Sequence, residues 1–287
     1  MIRVLVTGAG GQVGRELLLA FNSTSELFDV VGLTSADLDV GDRTLVQSAI
    51  EGLRPDVVVN SAAMTAVDQC ELEPDRAFRI NALAVRNLVE ACDRYGSQLV
   101  QISTDYVFDG ETSVPYVEWD RTNPQSVYGR SKLGGERELR PSDLCVRTAW
   151  VVGRFGSNMA KTVMRLGSGT GALRFVTDQI GSPTVASDLA RAIVELVLSR
   201  SRGVFHLTSS GSGSWFDFAQ LVVTAMGEDR SRVLPILTQD LPAQRRASRP
   251  KYSVLDNVAW RLSGFEALPQ WSDAVPRLIR ELAEGGL

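Results

Sequence analysis

The chain has 287 residues, enough for one large domain or two smaller ones with a core that needs neither disulfides nor metals. Its 44% hydrophobic and 22% charged residues describe a globular chain, and a net charge of -4 provides no global field to hold nucleic acid or an anionic membrane. Three cysteines without a C-x-x-C pair fit a reduced compartment better than a disulfide framework, and a sole histidine, His206, argues against metal centres built from several histidines. No apolar run approaches the roughly 20 residues that span a bilayer, and the N-terminus lacks a secretory signal, so a cytoplasmic location is expected. The basic residues divide into 27 Arg and only three Lys, namely Lys132, Lys161 and Lys251.

From residue 1 to about 152, short β-branched runs alternate with helical patterns, which predicts a doubly wound parallel sheet of the α/β, Rossmann type. The expected strands are Ile2 to Val6, Val30 to Leu33, Val57 to Asn60, Leu99 to Ser103 and Cys145 to Val152. Val13, Leu17 and Phe21 repeat at four-residue spacing, as the buried stripe of a first helix would. Ala77 to Cys92 reads as another helix, with Ile80, Leu83, Ala84 and Leu88 facing inward. Leu189 to Leu198 looks like a sheet-covering helix and Gly203 to Leu207 like one more strand. The remaining stretches carry most of the Pro, several Gly/Ser clusters and three of the five Trp. The expected division is a dinucleotide-binding domain of residues 1–152 plus about 185–208, and a smaller, discontinuous substrate-binding lobe of about 153–184 plus 209–287.

Directly after the first strand comes Thr7-Gly8-Ala9-Gly10-Gly11-Gln12-Val13-Gly14. Gly8, Gly11 and Gly14 fit G-x-x-G-x-x-G, the spacing that makes a tight turn, lets the backbone approach a pyrophosphate and packs helix close on strand. The helix N-terminus then offers unpaired N–H groups and the positive dipole end to the phosphates. The second strand ends in Leu33-Thr34-Ser35-Ala36, without the acidic residue that takes the ribose hydroxyls in NAD sites. That end permits a 2′-phosphate, so NADPH is the expected cofactor, with NADH also permitted. Further on, the turn Asp37-Leu38-Asp39-Val40 could supply an acceptor for the adenine amino group.

Tyr128 and Lys132 stand at i and i+4, hence on one helical face. Lowering a phenol by about three pH units requires about 4 kcal/mol in favour of the phenolate. One ammonium about 4 Å away supplies that at an effective dielectric near about 20. Gly129, Gly134 and Gly135 in the same helix cost roughly 1 kcal/mol each relative to Ala, which close approach of something to its surface would explain. The fourth strand ends in Ile102-Ser103-Thr104, and open parallel sheets bind ligands beyond their carboxyl ends, which puts the Thr104 hydroxyl where a substrate carbonyl would sit. Thr104, Tyr128 and Lys132 are thus the candidate catalytic residues for hydride transfer to a ketone, as hydroxyl, acid and positioner.

These residues resemble the extended short-chain dehydrogenase/reductase family. Val59-Asn60-Ser61-Ala62-Ala63-Met64-Thr65-Ala66-Val67-Asp68, Ser103-Thr104-Asp105-Tyr106-Val107-Phe108, Asp178-Gln179-Ile180-Gly181-Ser182-Pro183-Thr184 and Arg249-Pro250 resemble its dTDP-4-dehydrorhamnose reductase branch. The resemblance implies the last step of dTDP-L-rhamnose synthesis, reduction of a dTDP-4-ketosugar. It implies cofactor contacts at Gly8, Gly11, Gln12, Val13, Gly14, Asp39, Val40, Ala62, Ala63, Met64, Thr65, Ile102, Tyr128 and Lys132. Substrate contacts would fall on Thr65, Val67, Thr104, Asp105 and Trp150, with Arg249 near the pyrophosphate. Some members join two subunits through a metal held by glutamates; Glu16 occupies one such position, but Glu281 and Glu284 do not align with the others, so no metal is expected and the chain is a monomer or homodimer. The alternatives are another nucleotide-4-ketosugar reductase or epimerase, or a non-catalytic regulatory subunit of the same fold.

Overall fold

The computed structural model describes residues 1–241 and 246–285. In chain order the elements are β1 (Ile2–Thr7), α1 (Gln12–Asn22), β2 (Phe28–Leu33), α2 (Arg43–Leu53), β3 (Val57–Asn60), α3 (Val67–Leu72), α4 (Pro74–Phe78), a π-helical turn (Arg79–Leu83), α5 (Ala84–Tyr95) and β4 (Gln98–Thr104). They continue with α6 (Val127–Glu136), β5 (Leu144–Thr148), β6 (Val151–Val152), α7 (Met159–Gly167), β7 (Leu173–Val176), β8 (Ile180–Gly181) and β9 (Thr184–Val185). The last are α8 (Ala186–Leu198), β10 (Gly203–His206), β11 (Gly213–Ser214), α9 (Trp215–Ala225), β12 (Val233–Ile236), α10 (Val258–Leu262) and α11 (Trp271–Glu284). Among the described residues no helix is long and apolar enough to cross a membrane.

Six strands form one parallel sheet in the order β10-β5-β4-β3-β1-β2. It is the Rossmann-type sheet the alternation predicts, and its strands read as near-continuous Val/Ile/Leu runs because helices cover both faces. One face buries Val4, Val6, Val59, Val100 and Val146 against Leu17 and Phe21 of α1 and Leu189, Ile193 and Leu196 of α8. The other buries Leu5, Val58 and Leu99 against Val46 and Ile50 of α2 and Leu88 and Ala91 of α5. A further core joins α7, α9 and α11 through Val163, Phe218, Val222, Val275 and Ile279. Trp260 and Leu268, late in the chain, pack instead with the sheet core.

Two local expectations are corrected. The run Cys145 to Val152 is two strands, because Trp150 adopts φ 47° and breaks the ladder between β5 and β6. The helix expected over Ala77 to Cys92 is interrupted by the π turn, whose wider winding rotates the face that follows. Leu83, expected inward, is 44% exposed, and Asn81 is buried in the interior instead.

Candidate active site

The chain runs from β1 to β2 on one side and then to β3 on the other, so the strand order reverses beside β1, and ligands of open α/β sheets sit at such a point. A cleft of about 510 Å³ opens there, beyond the carboxyl ends of β1, β3, β4 and β5. The glycine loop forms one wall. A Cβ on Gly14 would lie 2.3 Å from the Gly8 carbonyl oxygen, so only glycine lets α1 start against the loop. Gly11, the N-cap of α1, makes no side-chain cap, which leaves the first-turn N–H groups open to an anion. Gln12 reaches the opposite wall, its Nε2 donating to the Val151 carbonyl at 3.0 Å and its Oε1 accepting from Asn158 at 2.7 Å.

The cleft is lined by Thr104, Tyr128 and Lys132, together with Asp105, Ile102, Ala63, Thr65, Val67 and Trp150. Ser126 caps α6, accepting from the Gly129 N–H at 3.1 Å, and so starts the helix one residue before Tyr128. The glycines of α6 are explained by close approach: a Cβ on Gly129 would lie 2.2 Å from the Tyr106 carbonyl oxygen, and one on Gly135 would lie 2.3 Å from that of Asn81. Tyr128 meets Tyr106 edge-on, with centroids 5.4 Å apart.

The electrostatics differ from expectation. Burial pushes the Tyr128 phenol well above its ordinary range, opposed by the Thr104 hydroxyl and reinforced by the Asp105 charge. Lys132 Nζ donates to the Ile102 carbonyl at 2.6 Å. Burial brings the Lys132 ammonium down to about 8, while Cys145 and Glu136 hold it up. Burial is thus the largest influence on the phenol, and it favours the protonated form of Tyr128. Asp105, whose Oδ1 accepts from the Thr104 hydroxyl at 2.9 Å, is raised by burial to about 6.

Sequence reasoning missed three features. Asn81 Nδ2 donates to the Met64 carbonyl at 3.1 Å and to Ser131 Oγ at 3.0 Å, while its Oδ1 accepts from the Met64 N–H at 2.9 Å. It therefore joins the loop after β3 to the helix of Tyr128 and Lys132. Trp215 stacks on Trp150 with centroids 3.6 Å apart and planes 2° apart, forming an aromatic floor from two distant segments. Asp37 folds back so that its Oδ2 accepts from the Thr34 N–H at 2.9 Å and the Thr34 hydroxyl at 2.7 Å. The reading of the second strand's end as free of acid is thereby corrected, because an Asp side chain closing a turn delivers its charge to the backbone three residues earlier. Only the Asn81 signal, an amide among apolar positions of a helical pattern, was visible in the chain.

The remaining candidates lie elsewhere. Gly8 of the glycine loop packs against Ala62, whose N–H donates to Asn60 Oδ1 at 3.2 Å, while Met64 is buried beside Tyr128. Asp39 Oδ2 accepts from Arg79 at 2.5 Å and Val40 is buried, outside the main cleft. Arg249 lines an adjoining cavity of about 290 Å³ that shares Tyr106 and Trp215 with the cleft. There its guanidinium pairs with Asp68 at 2.6 Å and holds that carboxyl down at about 2. Glu16 is buried and paired by both oxygens to Arg154, at 2.6 and 3.0 Å. Lys161 Nζ donates to the Arg154 carbonyl at 2.7 Å. Among the described residues no group of three or more His, Cys, Asp or Glu could hold a metal.

Comparison with known proteins agrees with this geometry. Residues 2–284 match the family model described as RmlD substrate binding domain. The spore coat polysaccharide biosynthesis protein SpsK of Bacillus subtilis is 38% identical over 284 residues, covering 98% of each chain. A crystal structure of a dTDP-4-dehydrorhamnose reductase from Clostridium acetobutylicum superposes with a TM-score of 0.93 at 40% identity, covering 98% of this chain and all of that one. A Bacillus anthracis dTDP-4-dehydrorhamnose reductase in complex with NADP gives 0.92 at 37% identity, with the same coverage. The chain therefore belongs to the RmlD substrate binding domain family and is an oxidoreductase of the Rossmann type.

Proposed function

We propose that this enzyme reduces the C4 ketone of dTDP-4-dehydro-L-rhamnose to dTDP-L-rhamnose, the last step of dTDP-rhamnose biosynthesis, using NADPH and accepting NADH. The observation that carries the reading is the convergence of Thr104, Tyr128 and Lys132 in one cleft with the open N-terminus of α1. The reduced nicotinamide supplies the hydride. Thr104 turns its hydroxyl from Asp105 to donate to the carbonyl oxygen and orients it. Tyr128, kept protonated by burial, gives its proton to the oxygen as negative charge develops there. Lys132 then steadies the phenolate left behind, as a compact charge that a guanidinium would not replace cleanly. The Trp150 and Trp215 rings offer the sugar nucleotide an apolar face. In this reading residues 1–152 with about 185–208 hold the dinucleotide and about 153–184 with 209–287 hold the sugar nucleotide, in a cytoplasmic monomer or homodimer.

The test mixes purified protein, NADPH and the ketosugar and follows nicotinamide absorbance. Turnover is expected, with Tyr128→Phe reducing kcat by about 10²- to 10⁴-fold. Unchanged absorbance with wild-type protein, or Tyr128→Phe as fast as wild type, overturns the assignment. Running other 4-ketohexose nucleotides in parallel fixes the sugar.

A further inference from the structure

We propose that Asp37 sets the cofactor preference of this enzyme, opposing the 2′-phosphate of NADPH and keeping NADH usable. The inference rests on the dinucleotide reading of the cleft and goes beyond it by assigning a discriminating residue. In Rossmann-type sites the group at the end of the second strand meets the 2′ position of the adenosine ribose, where a carboxylate takes the hydroxyl and a cation takes the phosphate. Thr34 occupies that place here. It follows β2, whose last carbonyl, that of Leu33, accepts from the Ala9 N–H at 3.1 Å. A Cβ on Gly10 would lie 3.5 Å from Thr34 Cγ2, so the threonine side chain abuts the glycine loop.

Thr34 by itself would favour a phosphate, since its N–H and hydroxyl are two donors side by side. Both are taken by one oxygen of Asp37, at 2.9 and 2.7 Å. The carboxylate thus removes the donors a 2′-phosphate would use and puts a negative charge in their place, while its second oxygen remains to accept from a ribose hydroxyl. The groups that hold the Asp37 carboxyl below its ordinary range are the Thr34 hydroxyl and N–H, with no basic side chain contributing. Arg79 is paired with Asp39. The strand end therefore bears a net negative charge where NADPH carries its extra phosphate.

The experiment measures dissociation constants of NADPH and NADH by nucleotide fluorescence for wild type, Asp37→Asn and Asp37→Ala, at low and high salt. Asp37→Asn keeps the turn and removes the charge; the ratio of NADH to NADPH dissociation constants is expected to rise about five-fold, less so at high salt. Asp37→Ala also frees the Thr34 donors and is expected to raise the ratio further. A ratio unchanged within about two-fold in both variants, with both nucleotides still bound, overturns the proposal and leaves the dinucleotide reading standing. Failure of wild-type protein to bind either nucleotide overturns both.

Discussion

Asn81 donates to the hydroxyl of Ser131 at 3.0 Å, and that hydroxyl donates in turn to the Tyr128 carbonyl at 2.8 Å. The π turn that delivers Asn81 is thereby fastened to the backbone of the proposed proton donor. Replacing Asn81 by Leu leaves the Met64 N–H and carbonyl buried without their partner, a cost of about 2–4 kcal/mol. Denaturant unfolding should show that loss. Turnover of the folded fraction should fall as well, because the loop after β3 and α6 lose their common tie.

Gly181 faces the Trp150 ring so closely that an added Cβ would lie 2.4 Å from it. Gly181→Ala must therefore push Trp150 off its stack with Trp215. The expected outcome is a rise of about ten-fold in KM for the sugar nucleotide with cofactor affinity unchanged. Equal loss of both affinities would show that the stack supports the whole cleft rather than its sugar half.

At Gly14 the obstruction is backbone, since the Gly8 carbonyl lies 2.3 Å from the position a Cβ would take. Gly14→Ala is expected to weaken dinucleotide binding by at least about ten-fold, because the loop has no flexible side chain to yield. Titration of the variant with NADPH and NADH checks it.

Asp105 and His206 make opposite contributions to stability as pH changes. Asp105 holds its proton up to about 6 in the fold against an ordinary 3.8, so its stabilising contribution is complete below 3.8 and is lost as pH rises through 6. At neutral pH the buried carboxylate costs about 3 kcal/mol. His206, brought by burial from 6.5 to about 3, contributes stability that is present above 6.5 and is lost as pH falls toward 3. Asp105→Asn should therefore be more stable than wild type at pH 7 by roughly 2–3 kcal/mol and lose that advantage by about pH 4. Thermal unfolding across that range would reveal the crossover; a constant difference would refute it.

The sheet was legible because buried parallel strands must be apolar on both faces, and Val4 to Val6 or Val57 to Val59 can hardly be anything else. Tyr128 and Lys132 were legible because four residues make about one helical turn. The position of Leu83 was misread for a related reason: one extra residue in a turn leaves no mark in composition yet rotates everything after it. The charge at Thr34 was hidden because it depends on the direction Asp37 takes, which is a matter of backbone torsion. The partner of Trp150 lies in another segment, and the sequence alone supplies no register between them. Arg249 was placed by resemblance, while its actual hold on Asp68 is a tertiary contact that no local pattern announces.

That hold bears on how the molecule is made. Asp68 accepts the N–H groups of Arg246 and Ala247 at 2.9 and 3.0 Å and the guanidinium of Arg249 at 2.6 Å, across 178 to 181 residues of chain. During synthesis, β1 to β4 can pair long before residue 246 exists, and domains generally form from the N-terminus first. Asp68 must then wait beside the nascent cleft until nearly all of the chain has emerged. Such a distant closure carries a large loop entropy and comes late. A chain shortened to end before residue 246 would keep the glycine loop and every strand of the main sheet, yet leave Asp68 an unbalanced charge beside the cleft.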